Sequence, residues 1–178
     1  MTRLIVAVIA LIIMSIGFAH AQTVQKVEVY EFGTYTSGPE IQIGFTRQGL
    51  RQCVVDHIDL IQETDTIIAS IGVEFGFRFR VIGKTNGTPV RVTVVTRFPP
   101  PGVFAPDGSI PFLVDDESWA VNVGENSFLT WPFERRSDLV PGIWTFEIWI
   151  DGRKFAEQKF NIILPPVARL DAPLQPGA

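Results

Sequence analysis

The chain offers one pair of residues whose types suit nucleophilic catalysis, Cys53 and His57. A thiol beside an imidazole is the pairing that activates a cysteine nucleophile. Residues four apart share one face of a helix, but Val54-Val55 and Ile58–Leu60 favour strand or irregular structure. No motif of a cysteine hydrolase surrounds Cys53. We therefore predict no catalytic residue: Cys53 is interpreted as a small buried hydrophobe, with a free thiol or a link to another chain as alternatives, and His57 as a surface imidazole.

The densest acidic run is Asp115-Asp116-Glu117. Calcium and similar hard cations need several oxygen ligands, but adjacent residues of a loop point apart, and the spaced ligands of a calcium loop are not present. His57 is the single histidine after residue 21, which counts against histidine-based metal sites. We predict a solvated acidic turn, no metal site and no cofactor.

Two runs of alternating polarity, Val73–Val81 and Val90–Val94, flank Asn86-Gly87. This dipeptide is typical of a two-residue type I′ hairpin turn, and the resulting register sets Phe79 opposite Val94. The outer face of the predicted hairpin then carries four arginines close together. Guanidinium groups bind carboxylates, phosphates and sulfates, so the face is a candidate site for a small anionic ligand; the alternative is an ordinary solvated sheet face. The four residues are Arg78, Arg80, Arg91 and Arg97.

A second hairpin is predicted from Ile143–Ile150 and Arg153–Leu164. A two-residue loop would mix the core and solvent faces, so we predict a three-residue, bulged loop with Gly152 in the left-handed conformation. Its register pairs Phe146 with Ala156.

This second hairpin sends Trp149 and Phe155 to the face opposite its core residues. Exposed aromatic residues on a sheet mark a contact with a partner, so both are candidate binding residues. The alternatives are that a loop or the proline-containing tail covers them, or that they stack on sugars.

The elements that position these residues follow a predicted export signal. Arg3 is a positive n-region, Leu4–Ala19 is an uncharged apolar stretch, and Ala19-His20-Ala21 has the small-x-small pattern of a cleavage site. The apolar run is shorter than the roughly 20 residues of a membrane span, which disfavours the alternative of a membrane anchor. We predict that residues 1–21 are a cleaved signal and that the mature protein is periplasmic or secreted, with no membrane contact after cleavage.

Composition bounds the mature chain. The full sequence has 178 residues and a net charge of −4, and loss of the signal removes one positive charge more. An acidic chain disfavours nucleic-acid binding, which needs excess positive charge. The length suits one domain, which we predict over residues 22–164, with an extended or disordered proline-containing tail over 165–178.

Further strands are predicted from alternation and turn signals, and no segment has a helical period. Seven or so short strands in one domain predict an all-β fold, an antiparallel β-sandwich of immunoglobulin-like architecture; a small β-barrel is the alternative. The paired cysteines of antibody domains are absent. The additional strands are Val24–Phe32, His57–Gln62, Trp119–Val123 and Phe128–Phe133.

The stretches Val73–Val81, Pro141–Trp149 and Gly152–Phe160 resemble a family of small exported bacterial proteins catalogued as a domain of unknown function. The resemblance covers about Val24 to Leu164. It implies a bacterial sandwich domain and brings no catalytic residues.

The predicted function is a noncatalytic binding or assembly module of the bacterial cell envelope, with an envelope protein or a small anionic ligand as partner. Because paired carboxylates leave no local signature in a sequence, a carboxylate-based hydrolase acting on glycans is an alternative, as is a small-anion carrier built on the arginine face. The enzyme class thus stays open, with a nonenzyme favoured.

Overall fold

The structure, a computed structural model, describes residues 24–108 and 110–166. The predicted signal and residues 167–178 of the predicted tail lie outside the described residues, so the boundaries drawn there stay predictions. The described part contains a short 3-10 helix, Arg136–Asp138, and eleven strands. These are β1 Val24–Ser37, β2 Ile41–Phe45, β3 Arg51–Val54, β4 Ile58–Glu63, β5 Thr66–Ile68, β6 Glu74–Gly83, β7 Pro89–Arg97, β8 Val114–Asn122, β9 Asn126–Pro132, β10 Gly142–Ile150 and β11 Arg153–Ile163.

The strands form two main sheets and one separate hairpin. The four-stranded sheet has the order β4-β1-β6-β9, the five-stranded sheet has the order β5-β11-β10-β7-β8, and β2 pairs with β3 alone. Neighbouring strands are antiparallel except for β5, which runs parallel to β11. The fold is therefore the predicted all-β sandwich and not a closed barrel.

An aromatic core lies between the sheets. Phe75, Phe77 and Phe79 alternate along β6 and are fully buried. Phe75 and Phe77 face Trp144 and Phe146 of β10 at ring distances of 5.7 to 6.0 Å. The Trp144 indole nitrogen donates to the Val140 carbonyl at 2.9 Å, which satisfies its polar atom in the core. Each such buried side chain stabilises the fold by roughly 1.5–3 kcal/mol.

The predicted pairing of β6 with β7 is wrong. β6 pairs with β1 and β9, whereas β7 pairs with β10 and β8 in the other sheet. Gly87 has the positive φ that a turn requires, but its amide donates to Val123 rather than across a hairpin. The Phe face of β6 and the Val face of β7 still meet, because they pack against each other through the core instead of lying side by side.

The hairpin of β10 and β11 is confirmed, with a different register. Asp151 and Gly152 both have positive φ, as a type I′ turn requires, and Ile150 pairs with Arg153. The register shifts after Trp149 and Lys154, and Phe146 pairs with Gln158, not with Ala156. A tight turn followed by a bulge at Phe155 adds one extra residue to β11, as the predicted bulged loop would. Beyond the bulge the same side chains therefore face the core, and the core face of the hairpin was predicted correctly.

Candidate functional site

An open cleft lies between the edges of the two sheets. β8 is the last strand of the five-stranded sheet and β9 is the last strand of the four-stranded sheet. A cavity of about 660 Å³ is lined by residues of both strands and of the β2–β3 hairpin. This volume falls within the roughly 300–1,000 Å³ typical of ligand pockets.

The β8 wall of the cleft is part acidic and part aromatic. Asp115, Glu117 and Trp119 pair with Thr96, Val94 and Val92 of β7, whose side chains are buried. Because paired residues point to the same face, these three β8 side chains point inward.

The β9 wall is apolar. Leu129 and Trp131 pair with Phe77 and Phe75 and pack against the core. The cleft is therefore apolar along β9 and carries its carboxylates at the start of β8.

The β2–β3 hairpin forms the third side of the cleft and is attached through polar contacts. None of its described residues, 41–54, is fully buried. Gln52 Nε2 donates to Glu117 Oε2 at 3.2 Å, Gln48 Nε2 donates to the Val114 carbonyl at 3.3 Å, and Arg47 lies 3.5 Å from Asp116. An element held by such contacts opens at lower free energy than core strands do.

Asp115 has the most strongly shifted pKa among the groups that line the cleft. Its side chain is 4% exposed, and its Oδ1 atom has no hydrogen-bond partner among the described residues. Burial, followed by the nearby charges of Glu117 and Asp116, raises the pKa of Asp115 from 3.8 to about 6, although a hydrogen bond from Thr46 opposes the rise. The predicted solvated acidic turn is therefore wrong: this run belongs to β8, and its first residue is buried.

Glu117 shares this environment. Burial raises the pKa of Glu117, and the hydrogen bond from Gln52 acts in the opposite direction. Two carboxylates with raised pKa values on one cleft wall are typical of functional sites.

Cys53 lines the same cleft and is a free, partly buried cysteine, so the expectation of full burial is wrong. Burial, followed by the charge of Glu40, raises the pKa of its thiol, which keeps the sulfur protonated and weakly nucleophilic. His57 is exposed as predicted, and its Nδ1 lies 2.6 Å from Asp56 Oδ1. No hydrogen bond joins Cys53 to His57 in the part of the chain that the structure describes.

The four predicted arginines do not come together. Arg78 and Arg80 lie on the four-stranded sheet, where Arg78 pairs with Glu31 at 2.9 Å and Arg80 donates to Asn126 at 2.6 Å. Arg91 and Arg97 lie on the five-stranded sheet. The predicted cluster fails because it depended on the pairing of β6 with β7.

Trp149 and Phe155 have different surroundings. Trp149 is part of a hydrogen-bond network around Glu147. The Trp149 indole nitrogen donates to the Glu147 carboxylate at 3.0 Å, and Arg97 and Lys154 donate to the same carboxylate at 3.2 and 3.3 Å. Phe155 is partly buried against the core cluster and lies under the Arg153 guanidinium at 5.0 Å. A partner contact at Trp149 and Phe155 stays a prediction.

Burial opposes ionisation of Glu147, but the hydrogen bonds from Arg97, Trp149 and Lys154 outweigh it and lower the pKa of Glu147. Trp149 is thereby fixed on the sheet surface by a buried carboxylate.

Sequence reasoning missed the cleft. Asp115 and Glu117 continue, toward the N-terminus, the alternation of Trp119 and Val121, and this period of two was the available signal. Acidic residues at inward positions concealed it, because an inward residue is expected to be apolar.

The described residues include no helix long and apolar enough to cross a membrane. They also hold no group of three or more metal-ligating side chains arranged around one point.

Comparison with known proteins identifies a family and a fold. A family model described as a domain of unknown function (DUF3859) matches residues 23–162. The chain is similar to a crystal structure of an immunoglobulin-like protein from Pseudomonas aeruginosa, with 22% identity over 80% of this chain and 99% of that one and a TM-score of 0.47. A weaker similarity is to an alkylpurine DNA glycosylase from Pseudomonas fluorescens, with 8% identity over 55% of this chain and 27% of that one and a TM-score of 0.33. No curated protein matches the sequence.

Proposed function

We propose that this chain, which belongs to the DUF3859 family of domains of unknown function, is a noncatalytic binding module of the bacterial cell envelope. Its partner occupies the cleft between β8 and β9. The observation that carries the proposal is the cleft itself. It combines an apolar wall, two inward carboxylates, one of which has an oxygen without a partner among the described residues, and a third side that is attached through polar contacts. Clefts with apolar walls and a few convergent polar groups are the usual form of binding sites.

The β2–β3 hairpin supplies a route of entry. Its contacts with β8 are hydrogen bonds and an exposed ion pair, each of which contributes roughly 0–1.5 kcal/mol. A partner that enters the cleft can replace these contacts with its own polar groups. The hairpin then closes over the bound group.

The noncatalytic assignment is supported by the chemistry of the candidate nucleophile. Cys53 has a raised thiol pKa, and the imidazole that could act as its base is hydrogen-bonded to Asp56 on the surface. An acyl-transfer reaction at Cys53 needs the opposite shift in its pKa.

The cleft is tested by comparing two tryptophan variants in a pull-down from solubilised envelope fractions. Trp119→Ala removes an aromatic wall of the cleft, and Trp149→Ala is the matched control on the outer sheet face. We expect Trp119→Ala to lose the proteins or glycans retained by the wild type, Trp149→Ala to keep them, and Trp119→Phe to recover them. Loss with Trp149→Ala and retention with Trp119→Ala would place the contact on the outer face and contradict the proposal.

The envelope location rests on the signal pattern in residues 1–21. We expect the full chain, expressed in a Gram-negative bacterium, to release a mature form that begins at Gln22 in the periplasm. Substitution of Ala19 and Ala21 by bulky residues should leave the precursor uncleaved, because signal peptidase reads small side chains at these positions. A mature form in the cytoplasm would contradict this part of the proposal.

A glycan-acting hydrolase is a second candidate, favoured by the pair Asp115 and Glu117. They are two residues apart on one strand face, so their Cα atoms are roughly 6.5–7 Å apart, near the roughly 5–9.5 Å carboxyl separations of glycosidases. This candidate predicts release of soluble fragments from peptidoglycan or another envelope glycan. Asp115→Asn or Glu117→Gln should lower the rate by about a hundredfold or more. Equal rates for wild type and variants would exclude it.

A further inference from the structure

The side chains that line the cleft carry more negative than positive charge. Its lining holds two guanidinium groups, and both are ion-paired: Arg51 with Glu134 and Glu40, and Arg135 with Asp138 at 2.8 Å. Seven carboxyl groups line the same cavity, so negative charge is in excess. They belong to Glu40, Glu74, Asp115, Glu117, Glu125, Glu134 and Asp138.

Asp115 gives an independent sign that a donor is needed. A buried carboxylate oxygen without a donor destabilises the fold, because it has lost its hydrogen bonds to water, and Oδ1 of Asp115 is such an atom. The residue lines the cavity, and displacement of the hairpin contacts beside it would bring a ligand to this oxygen. A donor that also carries positive charge would relieve both the missing hydrogen bond and the repulsion from Glu117.

The cavity-lining residues next to the two carboxylates suit the alkyl chain of a ligand. Trp119 follows Glu117 on the same face of β8, and Leu129 and Trp131 lie along β9. The face of an indole ring attracts cations and packs against methylene groups. The cleft thus passes from paired carboxylates to aromatic surface within one strand face.

We propose that the cleft binds a primary alkylammonium group, which donates hydrogen bonds to Asp115 and Glu117 while its alkyl stem lies along Trp119. An ammonium group has three donors and no acceptor, which matches two neighbouring carboxylates, one of which has an oxygen without a partner. This inference rests on the proposed function, since it takes the cleft as the binding site. A free diamine and a lysine side chain share the required chemistry.

The inference is tested by calorimetric titration of the mature protein at pH 7.5. The probes are pentane-1,5-diamine, N-acetyl-lysine amide, and two controls of similar length, neutral pentane-1,5-diol and the dianion glutarate. We expect the diamine or the lysine derivative to bind, and both controls to bind at least about tenfold more weakly. Stronger binding of the lysine derivative would point to a peptide as the source of the ammonium group, and stronger binding of the diamine to a free polyamine.

Three variants locate the binding. Asp115→Asn and Glu117→Gln should each weaken diamine binding by about ten- to a hundredfold, as loss of one member of a desolvated charge pair does. Asp59→Asn is the matched control, because Asp59 is an exposed carboxylate on β4 that does not line the cavity. It should leave binding within about twofold. Near-ultraviolet circular dichroism checks that each variant is folded.

Three results would overturn the inference. Diamine binding that is unchanged in Asp115→Asn and Glu117→Gln would place the ammonium group elsewhere. Equal binding of diol and diamine, both weakened by Trp119→Ala, would show that the cleft binds ligands but does not select for ammonium. If none of the four probes binds, the ammonium class is wrong, and the pull-down with Trp119→Ala decides separately whether the cleft is the binding site.

Discussion

Gln52 donates a hydrogen bond to Glu117 at 3.2 Å, and this contact joins the β2–β3 hairpin to the acidic wall of the cleft. One partner lies on an element with no fully buried residue, and the other lies on the edge strand of the core. It is one of the three polar contacts that hold the hairpin against β8.

Removal of the Gln52 amide should loosen the hairpin without unfolding the core. In Gln52→Ala we expect faster amide hydrogen exchange over residues 41–54, together with a loss of global stability below about 1.5 kcal/mol. Exchange measured by mass spectrometry gives both quantities. Gln158→Ala, which removes an exposed amide from β11, is the control and should leave hairpin exchange unchanged. Wild-type exchange rates in Gln52→Ala would contradict the account of the hairpin.

Asp115 should make the protein less stable at neutral pH than at mildly acidic pH. Its pKa is higher in the folded state, about 6 against 3.8, so the folded state binds the proton more tightly and loses stability as the pH rises from about 4 to 7. Asp115→Asn should therefore raise the free energy of unfolding at pH 7.5 by up to about 3 kcal/mol, and the gain should vanish near pH 4. A destabilised variant at pH 7.5 would contradict burial of an unsatisfied carboxylate.

Glu147 should show the opposite pH dependence. Burial opposes its ionisation, but the hydrogen bonds from Arg97, Trp149 and Lys154 lower its pKa, so its contribution is present above the ordinary pKa of about 4.5 and is lost as the pH falls through the lower folded value. Glu147→Gln should cost about 1–3 kcal/mol at pH 7 and progressively less in acid. Urea unfolding at several pH values measures the difference, and a constant cost would contradict the account.

Gly76 tests the pairing of β6 with β9. A Cβ atom at this position would collide with the backbone carbonyl of Leu129, so Gly76→Ala should destabilise the fold by about 2 kcal/mol or more. Gly44→Ala is the control, because its Cβ would meet only the Gln52 side-chain oxygen at 3.4 Å; it should change stability by less than about 1 kcal/mol. Equal effects in thermal unfolding would argue against the close approach of β9.

For β6 the sequence was sufficient to predict where the side chains point but not which strands are its neighbours. Alternation placed Phe75, Phe77 and Phe79 on the core face, and this holds whether β6 pairs with β7 or faces it across the core. Asn86-Gly87 marked a real turn, but a turn fixes the chain direction and not the sheet that the next strand joins. Pairing of β6 with β1, about fifty residues earlier for the Phe79 partner Val29, leaves no local pattern.

The cleft escaped prediction for a related reason. Inward carboxylates on an edge strand break the expected polar and apolar alternation, and such local conflicts concentrate at functional sites. Three adjacent acidic residues predict a solvated turn, whereas the structure buries the first of them, Asp115, on β8. The arginine cluster was predicted wrongly because alternation within each strand does not show which strands are neighbours. Its four residues belong to two different sheets.

The most direct test of the cleft uses the four tryptophan indole signals of the chain, Trp119, Trp131, Trp144 and Trp149, in a proton–nitrogen NMR spectrum. Single Trp→Phe variants assign the signals, and the protein is then titrated with the envelope fraction that it retains. We expect the signals of Trp119 and Trp131 to shift, while those of Trp144 in the core and Trp149 on the outer face stay in place. A shift of Trp149 alone, with Trp119 and Trp131 unchanged, would contradict the assignment of the cleft as the binding site.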